Sequence, residues 1–228
     1  MIALLWLLLI VPLFAGLLAQ DRVRARFARY RAMPNGARLT GAEAARALLD
    51  ALGLRRVRVE VVPGALTDHY DGAAGALRLS REVALEPSVA ALAIAAHEVS
   101  HAHQDASGSR AYRLRMTVGE PLGRLAPWSG LFFIGGFWLG IPVLMTLSLL
   151  YVGGLVAFAL ATLPVEIGAS RFALRMLADA GLTAPAEAGA VRRVLRAAAL
   201  TYVVGLLRQV GLFLALVLIL EATRRGLG

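Results

Sequence analysis

The chain of 228 residues is 58% hydrophobic with a mean hydropathy of +0.68, too apolar for a purely soluble domain and long enough for one soluble lobe plus several membrane spans. Its net charge of +9 rests on 24 basic residues, all arginine, which flank apolar segments instead of forming one patch with interleaved aromatics; this argues against a nucleic-acid partner. With no cysteine, disulfides and thiolate ligands are excluded, so any bound metal has to be held by histidine and carboxylate.

Residues 2–19 form an uncharged run that, at 1.5 Å per residue, nearly matches a bilayer core of about 30 Å. No basic region precedes the run and no small-residue cleavage site ends it, so it reads as a membrane span and not as a removable signal. Arg22, Arg24, Arg26, Arg29 and Arg31 follow at once and are expected to stay on the cytoplasmic side.

Residues 21–124 have the composition of a soluble lobe. Thr40 as N-cap, Glu43 three residues later and Gly53 beyond the end mark a capped amphipathic helix over 40–52. Residues 57–62 (VRVEVV) alternate with period two and predict a strand stopped by Pro63 and Gly64. After the DHYD segment of residues 68–71 and a glycine-rich turn, Ala76, Leu77, Arg78, Leu79 and Ser80 predict a second strand at the sheet edge. An edge there either aligns a substrate backbone by strand addition or only supports the helix that follows.

That helix, residues 87–105 (PSVAALAIAAHEVSHAHQD), organises the chain. Residues four apart lie one turn above each other, so His97 and His101 present two imidazoles to one point and Glu98 flanks it. Two neutral imidazoles suit Zn²⁺, a third protein ligand leaves a coordination position open for water, and Glu98 is placed as general base; the chemistry is hydrolysis, most often of peptides. With 4 histidines in 228 residues, roughly 0.003 chance occurrences of the motif are expected. The apolar residues before His97 would bury the helix, and a buried His-Glu-His cluster without a metal would be costly. His103 lies about 240° around the helix from His97 and points away from that metal. His69, on a strand beside the helix, has a path to a reaction intermediate as an electrophile, with strand packing as the alternative.

Residues 110–124 mix arginine with apolar side chains and are expected at the membrane interface. The uncharged residues 125–165 would make a single helix of about 60 Å, so two spans joined by a tight turn fit better. The turn is expected near residues 145–148, with glycines at 135, 136, 140, 153 and 154 as competing bends. Residues 166–196 return to the lobe, and 197–221 form the last span. Arg208 interrupts that span; either it faces a polar cavity near the active site, or the helix starts in the lobe and Arg208 reaches the interface, and the second arrangement fits better.

The segments DHYD (68–71), LRLS (77–80), AAHEVSHAHQ (95–104), LPVEIGASRFAL (163–174) and RAAALTYV (196–203) resemble, in the same order over nearly the whole chain, the YugP-like family of bacterial membrane zinc metallopeptidases. More distantly they are similar to the HtpX and CAAX-protease gluzincins. The resemblance implies His97 and His101 as zinc ligands, Glu98 as general base and Glu166 as third ligand. This chain departs from the family pattern at Ser100, where glycine is usual, at His103, where an apolar residue is usual, and at Gly168, where aspartate is usual. Ser170, one turn after Glu166 on the same face, is positioned to orient a ligand histidine.

The resulting expectation is an α+β membrane protein with a mainly helical zincin-type lobe, a small β-sheet and about four transmembrane helices. It would hold one Zn²⁺ per chain and act as an endopeptidase on peptide or membrane-protein substrates. The expected location is the bacterial inner membrane, as a multi-pass protein in contact with the lipid bilayer and with its catalytic lobe in the cytoplasm. A metal-binding scaffold without hydrolytic activity is the alternative, which intact Glu98 disfavours.

Overall fold

The structure, a computed structural model, describes residues 2–226. Its elements in chain order are α1 (Ile2–Arg31), α2 (Gly41–Ala51), β1 (Arg58–Val62), β2 (His69–Asp71), β3 (Ala76–Ser80), α3 (Arg81–Leu85), α4 (Val89–Ala106), α5 (Arg110–Trp138), α6 (Pro142–Asp179) and α7 (Pro185–Gly226). The chain is therefore mainly helical with one three-stranded sheet. It divides into two compact units, one built from residues up to Ala19, Leu114–Pro164 and Thr201 onward, the other from Gln20–Arg113 and Val165–Leu200. The long helices α1, α5, α6 and α7 contribute residues to both.

The second unit holds the main core. Helix α2 starts where the sequence predicts, because Thr40 and Glu43 satisfy each other's backbone: the Glu43 N–H donates to Thr40 Oγ1 at 3.2 Å and the Thr40 N–H donates to the Glu43 carboxylate at 2.8 Å. Its apolar face, with Ala44, Ala45, Leu48 and Leu49 fully buried, packs on α4. Helix α4 is capped by Ser88, whose hydroxyl accepts the Ala91 N–H at 3.1 Å. It is buried along nearly its whole length because alanines at 90, 91, 93, 95, 96 and 102 let neighbours approach on every side.

The sheet order is β1-β3-β2, with β1 parallel and β2 antiparallel to β3. This corrects the sequence expectation for Ala76, Leu77, Arg78, Leu79 and Ser80: they form the central strand, paired to β1 from Arg58↔Ala76 to Val62↔Ser80 and to β2 from His69↔Arg78 to Asp71↔Ala76. Strand addition there is blocked, since both sides of its backbone are engaged, and Ala76, Leu77, Leu79 and Ser80 are buried as a middle strand requires. Where β2 ends, Asp68 continues the cover by accepting the Ser80 N–H at 2.7 Å.

In the first unit, α5 and α6 form an antiparallel hairpin. Gly119 faces Phe158, the Tyr151 hydroxyl donates to the Leu122 carbonyl, and Phe133 packs with Met145, so the contacts step in opposite directions along the two helices. The turn is not at residues 145–148, which lie inside α6; it falls at Gly140, whose φ of +66° is left-handed, with Pro142 opening the next helix. Among the described residues three helices are long and apolar enough to cross a membrane, Ala3–Arg31, Pro142–Asp179 and Pro185–Arg225, where about four were expected. Helix α5 falls short because arginines at 110, 113, 115 and 124 occupy its first half, leaving an apolar stretch of about 21 Å against a core of about 30 Å.

Candidate metal centre

One turn of α4 separates His97 from His101, and both side chains are buried, with 9% and 6% of their surface exposed. Neither imidazole points to solvent because the third member of the group, Glu166 on α6, is 1% exposed and faces both. His97 Nε2 lies 3.3 Å from Glu166 Oε2, and His101 Nε2 lies 3.7 Å from Oε1. The two rings meet edge to face, centroids 4.8 Å apart. One ligand atom from each of the three residues falls within 4.8 Å of the others.

These spacings test whether a metal fits. Donors held tetrahedrally at about 2.0–2.1 Å from an ion sit about 3.3–3.4 Å from one another. The two separations, 3.3 and 3.7 Å, each to a different oxygen of the Glu166 carboxylate, are at or just above that value, and two imidazole nitrogens with one carboxylate suit Zn²⁺ while leaving a further position open.

The surroundings set the direction of each ring. Gln104, one turn beyond His101, donates its Nε2–H to the Val165 carbonyl at 2.9 Å, which turns its Oε1 to His101 Nδ1 at 2.9 Å. A carbonyl can only accept, so the amide is fixed this way round and His101 must carry its proton on Nδ1. The Nε2 lone pair is thereby left facing Glu166 and the centre of the group. Tyr112, 2% exposed, stacks on the His101 ring at 5.8 Å. Ser170 Oγ lies 3.4 Å from His97 Nδ1, on the side of the ring away from Glu166. Sequence reasoning singled out Ser170 and missed Gln104 and Tyr112; the available signal for Gln104 was its position three residues after His101 on the same helical face.

Glu98, 8% exposed, accepts the backbone N–H of Tyr70 at 3.1 Å, so β2 holds one carboxylate oxygen of α4 in place. The Tyr70 hydroxyl donates to Asp105 Oδ2 at 3.1 Å, one further tie between the same two elements. Burial, with the Asp105 carboxylate beside it, pushes the Tyr70 phenol up to about 12, so it remains a donor across the physiological range. His69, by contrast, is exposed, and its Nδ1 sits 2.8 Å from the Thr67 carbonyl. The structure leaves its side chain outside the His97, His101 and Glu166 group, and it is the backbone of its neighbour that reaches the site.

The three departures from the family pattern have local accommodations. The Ser100 hydroxyl donates to the Ala96 carbonyl at 2.8 Å within α4. His103 stacks on Phe172, centroids 4.5 Å apart, clear of the metal-ligand group. Gly168 lies against Gln104, whose Nε2 would be 3.7 Å from a Cβ at that position.

A family model described as "Putative neutral zinc metallopeptidase" matches residues 5–221. A curated protein of Bacillus subtilis (strain 168), named "Putative membrane protease YugP", is 40% identical over 185 residues, which cover 81% of this chain and 82% of the relative. No solved structure gives a significant match. Since the matched span runs from the first apolar helix into the last and contains His97, Glu98, His101 and Glu166, the chain belongs to the family so described.

Proposed function

We propose that the protein is a membrane-embedded, zinc-dependent endopeptidase in which His97, His101 and Glu166 hold one Zn²⁺ and Glu98 is the general base. The observation that carries this reading is the pair of Nε2-to-carboxylate distances, 3.3 and 3.7 Å, on a helix where Glu98 directly follows the first histidine. Zinc bound there supplies a Lewis acid that polarises a scissile carbonyl and acidifies water. Glu98 takes the proton of the attacking water and later delivers it to the departing amine; the Tyr70 N–H fixes one of its oxygens and leaves the other to move the proton. Ser170 and Gln104 keep the two imidazoles aimed while this happens.

Substrate alignment by strand addition falls to the free edges of the sheet, β1 or β2, and β2 is the one whose backbone meets Glu98. The three long apolar helices support a multi-pass location in a bacterial plasma membrane, with peptide or membrane-protein substrates reached at or beside the bilayer. The five arginines after the first apolar run support a cytoplasmic lobe.

The test is proteolysis by protein purified in detergent. Glu98→Gln is expected to abolish hydrolysis while retaining zinc, because Glu98 flanks the metal without binding it; His97→Ala and His101→Ala are expected to lose both. Unchanged cleavage by Glu98→Gln would sink the mechanism, and a zinc-loaded wild type that cleaves nothing would favour the metal-binding scaffold.

A further inference from the structure

Between the parts of α6 and α7 that belong to the second unit lies a cavity of about 730 Å³. Four arginines line it, Arg171 and Arg175 from α6 with Arg192 and Arg196 from α7, together with Ser170, and no carboxylate does. All four are exposed, and among the described residues none of them is ion-paired. Elsewhere in the same unit some arginines do pair with acids, among them Arg31 with Glu86, Arg46 with Asp50, Arg58 with Glu60, and Arg78 with both Glu60 and Asp71. On each helix the two cavity arginines are four residues apart, a like-charge spacing that disfavours the isolated helix, and the two helices bring their pairs to one space. Such an arrangement is stabilised by an anion that several guanidinium groups can share, and planar guanidinium matches phosphate oxygens two at a time.

Apolar residues complete the lining. Ile167 follows the end of the apolar run of α6 by two residues, and Ala199 stands at the start of the apolar run of α7, so the cavity lies where both helices leave their most hydrophobic stretches. A ligand that fills it has a phosphate at one end and hydrocarbon at the other. Basic pockets between membrane helices take anionic lipid headgroups for this reason.

We infer that this cavity binds the phosphate of an anionic phospholipid, held by Arg171, Arg175, Arg192 and Arg196, with Ser170 as a further polar contact. The inference rests on the membrane location proposed above and not on the peptidase chemistry. Ser170 gives the site a second significance, since the same hydroxyl lies 3.4 Å from His97 Nδ1.

Calorimetric titration of the detergent-purified full chain tests it, with dihexanoyl phosphatidylglycerol as probe and dihexanoyl phosphatidylcholine and inorganic phosphate as comparisons. Phosphatidylglycerol should bind saturably, more weakly as salt rises, and about tenfold more weakly in Arg171→Gln/Arg196→Gln, while Arg55→Gln/Arg56→Gln, an equal charge change at exposed positions elsewhere, binds as wild type. Arg175→Gln/Arg192→Gln provides an independent second variant with the same expected loss should the first not fold. Equal binding of phosphatidylcholine, or equal loss in the Arg55 and Arg56 variant, overturns the site; equal binding of inorganic phosphate overturns the lipid as its source. Retention of wild type in carbonate-washed membranes checks the membrane reading by itself, so a retained protein that binds no phosphatidylglycerol contradicts the site alone.

Discussion

The imidazole of His101 is aimed by an amide that touches two helices, since Gln104 sits on α4 and donates to the Val165 carbonyl next to Glu166. Removing that amide frees the ring to flip and to change tautomer while leaving all three proposed ligands in place. Gln104→Leu should therefore weaken zinc binding about 10–100-fold, read by competition with a chelator of known affinity. Wild-type affinity in that variant would remove Gln104 from the account. Sequence alone made His97, Glu98 and His101 visible because their relation is local, one turn of one helix. Glu166, 65 residues beyond His101, came only from resemblance, and Gln104 was passed over because its second partner, a backbone carbonyl on α6, leaves no mark in the sequence.

At the scale of elements, close approach of backbones decides which glycines matter. A Cβ at Gly211 would collide with the Leu8 carbonyl, so α7 and α1 meet there with no room for a side chain, whereas one at Gly205, on the same helix, meets nothing within 4 Å. Gly211→Ala should lower the thermal midpoint of the detergent-solubilised protein by at least about 2–4 °C, the shift that about 1 kcal/mol produces in a chain of this size. Gly205→Ala should leave it unchanged or raise it, through the helix preference of alanine, worth about 0.5–1 kcal/mol. Equal effects at both positions would mean that helix packing does not distinguish them. Capped helices such as α2 were readable from sequence because the cap is satisfied within four residues. The place of β3 was not, since its parallel partner β1 is joined to it through β2, and nothing local separates a middle strand of five residues from an edge. The hairpin turn was misplaced for a related reason: several glycines compete in 125–165, and the left-handed φ at Gly140 singles out one only in the folded chain.

For the whole molecule, the chain must bring Glu166 back to His101 on α4 after 64 intervening residues that include the apolar run 125–165. A single crossing would strand Glu166 a bilayer away from His97 and His101, whereas in the folded chain α6 runs back antiparallel to α5 and sets Glu166 Oε2 3.3 Å from His97 Nε2. The proposed cytoplasmic location of the lobe, supported by the arginines at 22, 24, 26, 29 and 31, is checked by protease treatment of right-side-out spheroplasts: the lobe should be protected, and digestion from outside would reverse the orientation. The proposed metal centre depends on Glu166 as the third ligand, and the direct measurement is zinc per chain in purified Glu166→Ala beside wild type and Asp179→Ala, an acid further along the same helix. Wild type and Asp179→Ala should each carry about one zinc and Glu166→Ala little or none; full occupancy in Glu166→Ala would contradict the metal centre described.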